Sequence, residues 1–352
     1  MIAWENSSGA HQLRLPAKDS VIQPWPALSI LIPLRNEAEQ VLELINNLKT
    51  LDYPKLEIWL YDDQSTDITR SLLEEAVRNH AGFHMLVGHA LPSGWLGKNF
   101  ACSELALKAK GDYLLFMDAD VRISSDALYA TLHTMRTERL SLLSVFPKQI
   151  TLGVAERLMV PLINHLLLSW LPLHLIRASK FPTIAAANGQ YMCFLAADYR
   201  QHLWHTQLRN QLVEDMAIAR AMKAEKLAML CKLSRSGLVN CRMYRKPEAV
   251  VHGMAKSVVA GFGGQPLWLG MYMFVTTGLW LCLFWYSPLY ALILLPFTLL
   301  CRIFVTRASG DSTSDGVLLL FLQQFSWCML FFYALYQHQF KKLKWKDRFV
   351  LL

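Results

Sequence analysis

Charge is scarce in this chain. Asp, Glu, Lys and Arg make up 18% of its 352 residues, and hydrophobic residues make up 53%. A soluble domain of average composition carries roughly a quarter charged residues. The scarcity is local. No charged residue falls between Ser257 and Cys301, or between Gly316 and Phe340, and each run exceeds the ~20 residues that cross a bilayer. A Cys-x-x-Cys pair is also lacking. The seven cysteines are scattered, with Cys282, Cys301 and Cys328 in or beside the apolar runs. That argues against a disulfide framework and a zinc site and for a reducing compartment. No continuous apolar stretch precedes Ala27, so no signal peptide is expected and the polar part of the chain is expected to stay in the cytosol. Internal repeats and low-complexity tracts are missing as well. His11, His80, His84, His89, His202, His205 and His252 have no metal-ligand spacing.

What charge there is has a sign. The formal net charge is +8, and the last twelve residues set Lys341, Lys342, Lys344, Lys346 and Arg348 against Asp347. A basic cluster after an apolar run reads as an anchor to anionic lipid on the cytoplasmic leaflet. Nucleic-acid binding is disfavoured, because no matching stripe of basic and aromatic residues appears elsewhere. Leu267 to Tyr286 and Val317 to Gln337 read as full spans. Pro288 to Cys301, short and interrupted by Pro296, reads as a re-entrant limb, which keeps the basic tail cytosolic. Tryptophans between Trp268 and Trp285 read as membrane-belt and packing residues. Leu158 to Ile176 is also free of charge but holds Pro161, Asn164, His165, Pro172 and His174, and reads as an interfacial amphipathic segment.

The first 256 residues alternate strands and helices. Leu28–Pro33, Glu57–Tyr61, Phe83–Val87 and Tyr113–Met117 read as strands. Asn36–Lys49, Ser65–His80 and Asn99–Ala109 read as helices, with Ser65 as a cap. This pattern predicts an α/β domain with a mostly parallel sheet and covered faces, whose ligands bind at the carboxyl ends of strands. Polar residues gather there. Asp62 and Asp63 end the second strand, where a carboxylate can accept bonds from a ribose or a base; Asp67 reads as a helix cap. Asp118 and Asp120 end the fourth strand. Two carboxylates after a buried run call for a positive partner, and a hard divalent cation fits. Glu214 and Asp215 open a later helix. They complement its dipole, and their adjacency also raises one carboxyl toward the range of a general base. Lys98, in the turn Gly94-Trp-Leu-Gly-Lys98 before a helix, suits a phosphate. Asn99 in place of Ser or Thr, and the Gly94 to Gly97 spacing, rule out a Walker loop.

In order along the chain, Ile32-Pro-Leu-Arg-Asn-Glu37, Tyr61-Asp-Asp-Gln-Ser-Thr-Asp67, Gly97-Lys98, Gly111 through Asp120, Ala187-Asn-Gly-Gln190 and Val213-Glu-Asp215 resemble the family-2 glycosyltransferases with the GT-A fold. Leu91 through Cys102, Glu156-Arg-Leu-Met-Val-Pro161 and Trp345-Lys-Asp-Arg348 look like the bacterial carotenoid and hopanoid branch. The resemblance implies donor contacts from Arg35, Glu37, Asp62, Asp63, Lys98 and Asp118. It implies Mg²⁺ or Mn²⁺ held by Asp118 and Asp120, with Asp120 the direct ligand, and Asp215 as the base of an inverting displacement. It also implies a nucleotide-sugar donor, a UDP-sugar foremost, and a lipid-like acceptor at the cytoplasmic face of the inner membrane. Residues 252 to 264 lack the Gln-x-x-Arg-Trp motif of processive members, which implies one transfer per acceptor. The expected organisation is an N-terminal extension (1–26), a GT-A domain (27–256, with an interfacial segment at 157–177), a transmembrane region (257–340) and a basic cytosolic tail (341–352). A polyprenyl-phosphate glycosyltransferase and a non-catalytic nucleotide-binding membrane protein remain open.

Overall fold

The computed structural model describes residues 1–16, 24–78, 80–262, 265–339, 344–345 and 348–349. Most of the basic tail lies outside the described residues. The chain divides into two compact units. A sheet unit comprises Ala10–Lys148 and Leu173–Cys241; a helical unit comprises Met1–Gly9, Gln149–Pro172 and Arg242–Leu352.

Along the chain to Cys241 the strands are β1 (Leu28–Leu34), β2 (Leu56–Asp62), β3 (Phe83–Val87), β4 (Tyr113–Met117), β5 (Val121–Ile123), β6 (Leu142–Phe146), β7 (Lys148–Gln149), β8 (Tyr191–Leu195), β9 (Met229–Leu233) and β10 (Val239–Cys241). Seven of them form one sheet in the order β3-β2-β1-β4-β8-β6-β9. The pairs β1–β2, β2–β3, β1–β4 and β6–β9 are parallel; β8 runs antiparallel between β4 and β6. Every residue of β4 and β6 is buried, as expected of strands covered on both faces, whose apolar residues run on without alternation. Gly111 enters β4 against β1: a Cβ there would lie 2.5 Å from Ser29 Oγ and 2.7 Å from its backbone nitrogen. Only glycine allows that approach, and its N–H donates to Ser29 Oγ at 2.8 Å.

Strand order decides where a ligand fits. The chain adds β2 and β3 on one side of β1, then crosses to place β4 on the other. Successive connections diverge there and open a crevice beyond the carboxyl ends of β1 and β4. A smaller sheet, ordered β5-β10-β7, sets Cys241 opposite Val121, just past Asp120.

The helical unit packs around Leu162, Met254, Leu269, Trp327 and Leu330. Among the described residues two helices are long and apolar enough to cross a membrane by length and composition, Leu267–Tyr286 (mean hydropathy 1.7) and Pro288–Ser309 (mean hydropathy 2.1). The first contains a π-helical turn, Phe274–Gly278. The second differs from the re-entrant limb read in the sequence. It is a single 22-residue helix that runs through Pro296, roughly 33 Å long at 1.5 Å per residue. Proline removes one backbone bond, which neighbouring helices in a bundle tolerate. The later helix, Leu320–Gln339, carries Gln323, Gln324, Ser326 and Gln337, and is not one of those two. Pro161–Trp170 buries Leu162 and Leu168 within this unit, and Asn6 Nδ2 ties the N-terminal turn to the carbonyls of Leu168 (3.0 Å) and Leu171 (2.7 Å).

Candidate active site

The loops after β1 and β2 are laced together by side chains. Arg35 Nη1 donates to the carbonyls of Asp63 (2.6 Å) and Gln64 (3.0 Å). Asn36 N donates to Ser65 Oγ, and Asn36 Oδ1 accepts from Thr66 N at 2.8 Å. Asn36 and Gln64 both take left-handed backbone angles, φ 50° and 53°. Asparagine tolerates that region; glutamine is rarer there. The turns therefore break the helix predicted from residue 36, which starts instead at Val41. Asp67 serves as the cap, its Oδ1 accepting from Thr69 N at 2.9 Å and its Oδ2 from Ala38 N at 3.2 Å. Ser65, the predicted cap, accepts from Asn36 N instead, and the helix spans Thr69–Arg78. Asp62 and Asp63 are both buried at this edge, and Asp62 Oδ1 accepts from Ser65 N. Glu37 sits on the same loop, its N–H donating to Thr69 Oγ1 at 2.8 Å.

The second half of the site centres on Lys98, on the first turn of helix Gly97–Lys108. Its Nζ lies 2.8 Å from Asp118 Oδ1 and 2.8 Å from Glu214 Oε1. Burial works against the ammonium charge, but Asp118 and then Glu214 outweigh it and hold the lysine well above its ordinary range. Burial likewise opposes the Glu214 charge, yet Lys98 prevails and the carboxyl is held below its usual value. Asp215 goes the other way. Burial first, then the Glu214 carboxylate, pushes it up to about 6, against the attraction of Lys98 and the N–H groups of Gly189 and Met216. Two adjacent acids are thus split, one committed to an ion pair and one poised to take a proton.

Gly189 lies where the three functional groups converge. Its N–H donates to Asp215 Oδ2 at 2.8 Å. A Cβ there would stand 3.3 Å from Asp215 Oδ2, Glu214 Oε1 and Lys98 Nζ alike. Gly189→Ala is expected to displace these groups by a few tenths of an ångström and to lower turnover about tenfold, because misplacement near 1 Å costs about 10²-fold. Steady-state kinetics beside an unchanged far-UV spectrum checks this.

Asn99 was read in the sequence only as the residue that rules out a Walker loop, and it has a structural task. Buried at 1% exposure, its Nδ2 donates to the carbonyls of Leu208 (3.0 Å), Arg209 (3.2 Å) and Gln211 (3.0 Å). Leu96 N also donates to Arg209 O. The Lys98 turn and the loop leading to Glu214 are thereby fixed to each other. A buried amide one residue after Gly-Lys was the available signal. Asn99→Ala leaves three carbonyls without this donor and is expected to cost about 2 kcal/mol, read as a lower urea midpoint at unchanged slope.

Asp118 and Asp120 end β4 as read in the sequence. Asp118 N donates to Gln190 O at 3.2 Å. Cys241 hydrogen-bonds Asp120 and accepts from Gln190 Nε2 at 3.1 Å; burial, then Asp120, holds that thiol well above its ordinary range. The two carboxylates suit a hard cation. Lys98 takes Asp118 Oδ1 and leaves Oδ2 without a protein partner among the described residues. No group of three or more His, Cys, Asp or Glu with ligand geometry occurs among the described residues. A Mg²⁺ or Mn²⁺ ion here would draw its remaining ligands from phosphate and water, the usual habit of Mg²⁺.

A mostly parallel sheet of this order, with acids at the crevice, defines a GT-A fold. A mannosyltransferase from Pyrobaculum calidifontis, solved in complex with GDP-Man and Mn²⁺, superposes with a TM-score of 0.54 at 17% identity, covering 92% of this chain and 93% of that one. Residues 29–173 match the family model "Glycosyl transferase family 2". The 4,4'-diaponeurosporenoate glycosyltransferase of Staphylococcus haemolyticus is 24% identical over 244 residues, 67% of this chain and 62% of that relative. The beta-monoglucosyldiacylglycerol synthase of a Nostoc species is 30% identical over 122 residues, 34% of this chain and 26% of that relative. The matched region thus spans less than two thirds of either relative.

Proposed function

We propose that this protein is a membrane-attached inverting glycosyltransferase. It moves one sugar from a nucleotide-diphosphate donor, a UDP-sugar foremost, to a hydroxyl or carboxyl of a lipid-like acceptor. The observation that carries this reading is the Lys98 bridge. A single cation touches Asp118, on the donor side, and Glu214, beside the proposed base. Two relatives, a diaponeurosporenoate glycosyltransferase and a glucosyldiacylglycerol synthase, favour an apolar acceptor. The two apolar helices favour attachment to the bilayer in which such an acceptor dissolves. We place the sheet unit on the cytoplasmic side of the inner membrane, in keeping with the basic tail.

In this mechanism Arg35 and Glu37 shape the nucleotide pocket, and Asp62 and Asp63 accept from the ribose or base. Lys98 offers positive charge to the diphosphate. Asp118 and Asp120 would hold a divalent cation, which supplies charge neutralisation to the departing nucleoside diphosphate. Gly189 N–H orients the Asp215 carboxylate. Asp215 removes the acceptor proton as the acceptor oxygen attacks the anomeric carbon, opposite the leaving diphosphate.

The test is a panel of nucleotide sugars offered to the purified full chain, scored by Mn²⁺-dependent thermal stabilisation and by sugar transfer to extracted lipid. A donor that both stabilises and transfers supports the reading; no response to any donor overturns it. Asp120→Asn is expected to weaken Mn²⁺-dependent nucleotide binding about tenfold, within the range of disturbed metal sites, with metal-independent binding unchanged by calorimetry.

A further inference from the structure

We propose that Arg122 is a positioning residue, which ties the peptide between Asp118 and Asp120 to the loop that bears Glu37 and thereby couples cation binding to nucleotide binding. The inference rests on the donor and metal roles proposed above for Glu37, Asp118 and Asp120.

Asp118, Ala119 and Asp120 form the turn between β4 and β5, closed by Val121 N donating to Asp118 O at 3.1 Å. Arg122 grips that turn on both sides of Asp120. Its Nη1 donates to the carbonyls of Ala119 (2.7 Å) and Val121 (2.8 Å). Its Nη2 donates to Gln40 O at 3.0 Å, across 82 positions of sequence. Gln40 stands at the N-terminus of helix Val41–Lys49, and its carbonyl also accepts from Leu44 N at 3.0 Å. The same residue holds Glu37. Gln40 Nε2 donates to Glu37 Oε2, and Glu37 O accepts from Gln40 N and Val41 N, both at 2.9 Å. One run of hydrogen bonds thus leads from Glu37 through Gln40 and Arg122 to the turn that carries the two carboxylates.

Ordinary roles for this arginine fit less well. As a helix stabiliser it has the wrong sign, because a cation at a helix N-terminus meets the positive end of the dipole. Its ion pair with Glu43 is long, at 3.8 Å, and the Glu43 side chain is 58% exposed; exposed pairs of that kind contribute little. Nor is it needed to dock the helix on β5. Asn47 already does so, its Nδ2 donating to Ile123 O at 2.8 Å and its Oδ1 accepting from Ile123 N at 2.9 Å. What Arg122 adds is a planar fork of donors at fixed angles, spanning the metal turn and the donor loop at once. Groups behind metal ligands orient them, and losing such a partner costs about 10–100-fold in metal affinity.

Charge and positioning act here with opposite sign. As a bare charge, Arg122 repels a divalent cation at Asp118 and Asp120, so its removal would tighten Mn²⁺-dependent binding. As a positioning residue it holds the turn in shape, so its removal weakens that binding. The experiment titrates UDP and GDP into the purified full chain by calorimetry, with and without Mn²⁺, for wild type, Arg122→Gln and Asn47→Ala. In wild type, Mn²⁺ is expected to tighten nucleotide binding. Arg122→Gln is expected to lose about tenfold of that gain, with metal-free affinity unchanged. Asn47→Ala, which removes the other tie between the same helix and strand, is expected to lower the urea midpoint and to keep the Mn²⁺ effect. An Mn²⁺ effect unchanged or larger in Arg122→Gln overturns the proposal. So does an equal loss in Asn47→Ala, which would make the arginine one structural tie among others. A wild type that binds nucleotide but gains nothing from Mn²⁺ defeats this inference alone; one that binds neither nucleotide defeats the transferase reading as well.

Discussion

Asp215→Asn is expected to lower single-turnover transfer about 10²–10⁴-fold, the usual worth of a positioned base, while donor affinity stays nearly unchanged. Asparagine keeps the shape of the group, and its Oδ can still accept from Gly189 N–H, which donates to Asp215 Oδ2 at 2.8 Å. What it loses is the proton acceptor. In the parent protein the carboxyl is pushed up to about 6 by burial and by Glu214. As a base it works only when ionised, so kcat/KM is expected to climb as pH rises through about 6 and to level above it. The variant should lack that limb. The same raised carboxyl weighs on stability with a definite sign. A carboxyl that holds its proton more tightly in the folded state penalises folding once pH exceeds its unfolded value. Asp215→Asn is therefore expected to melt no lower than the parent at pH 7.5, and to show less advantage toward pH 4. Normal turnover in the variant would remove the base and favour an acceptor already ionised, such as a lipid phosphate.

The half of the site built on β1, β2 and β4 was legible because each strand is a continuous apolar run that stops at polar residues. Leu28–Leu34, Leu56–Asp62, Phe83–Val87 and Tyr113–Met117 lie within a residue of the positions read from the sequence. The second half was harder to read. Strands β6, β8 and β9 are short apolar runs among helices, and periodicity cannot separate a five-residue buried strand from part of a helix. Nor does any local signal announce that β8 runs antiparallel between β4 and β6; that direction is set by long-range pairing. Asp118 and Glu214 were legible as separate acids. Their connection through Lys98 was not, because Lys98 reaches Glu214 from more than a hundred positions away in the sequence. Asn99 was missed for a related reason: its amide caps a loop distant in sequence. Residues 157–177 read as one amphipathic stretch, yet the segment forms three short helices, ending or starting near Pro161 and Pro172, with Leu162, Leu168, Leu173 and Ile176 buried. The prolines marked those breaks, but composition alone did not tell burial in protein from burial in lipid.

Lys98→Met should produce the second large effect, a loss of about 10²-fold in kcat/KM, the order of a charge-assisted contact removed from a partly buried site. The methionine fills similar space but leaves Asp118 and Glu214, each 2.8 Å from Nζ in the parent, without that cation. An incoming diphosphate then meets acids with one positive charge fewer between them, so the loss should fall mainly on donor affinity. Stability supplies an independent reading. In the parent, Lys98 overcomes burial and holds the Glu214 carboxyl below its ordinary value. Glu214 therefore contributes stability above the unfolded carboxylate range, and loses it as pH falls through the folded value. Without Lys98 only burial and neighbouring charge act strongly on Glu214, and its carboxyl should rise instead. The variant is then expected to be most destabilised at pH 7.5, where a buried carboxylate must stay charged. It should approach the parent near pH 5 as that carboxyl takes up a proton. Urea melts at the two pH values, beside donor titration by calorimetry, measure both effects. A stability deficit independent of pH would mean that Lys98 contributes packing alone. Normal donor affinity would remove it from the diphosphate site.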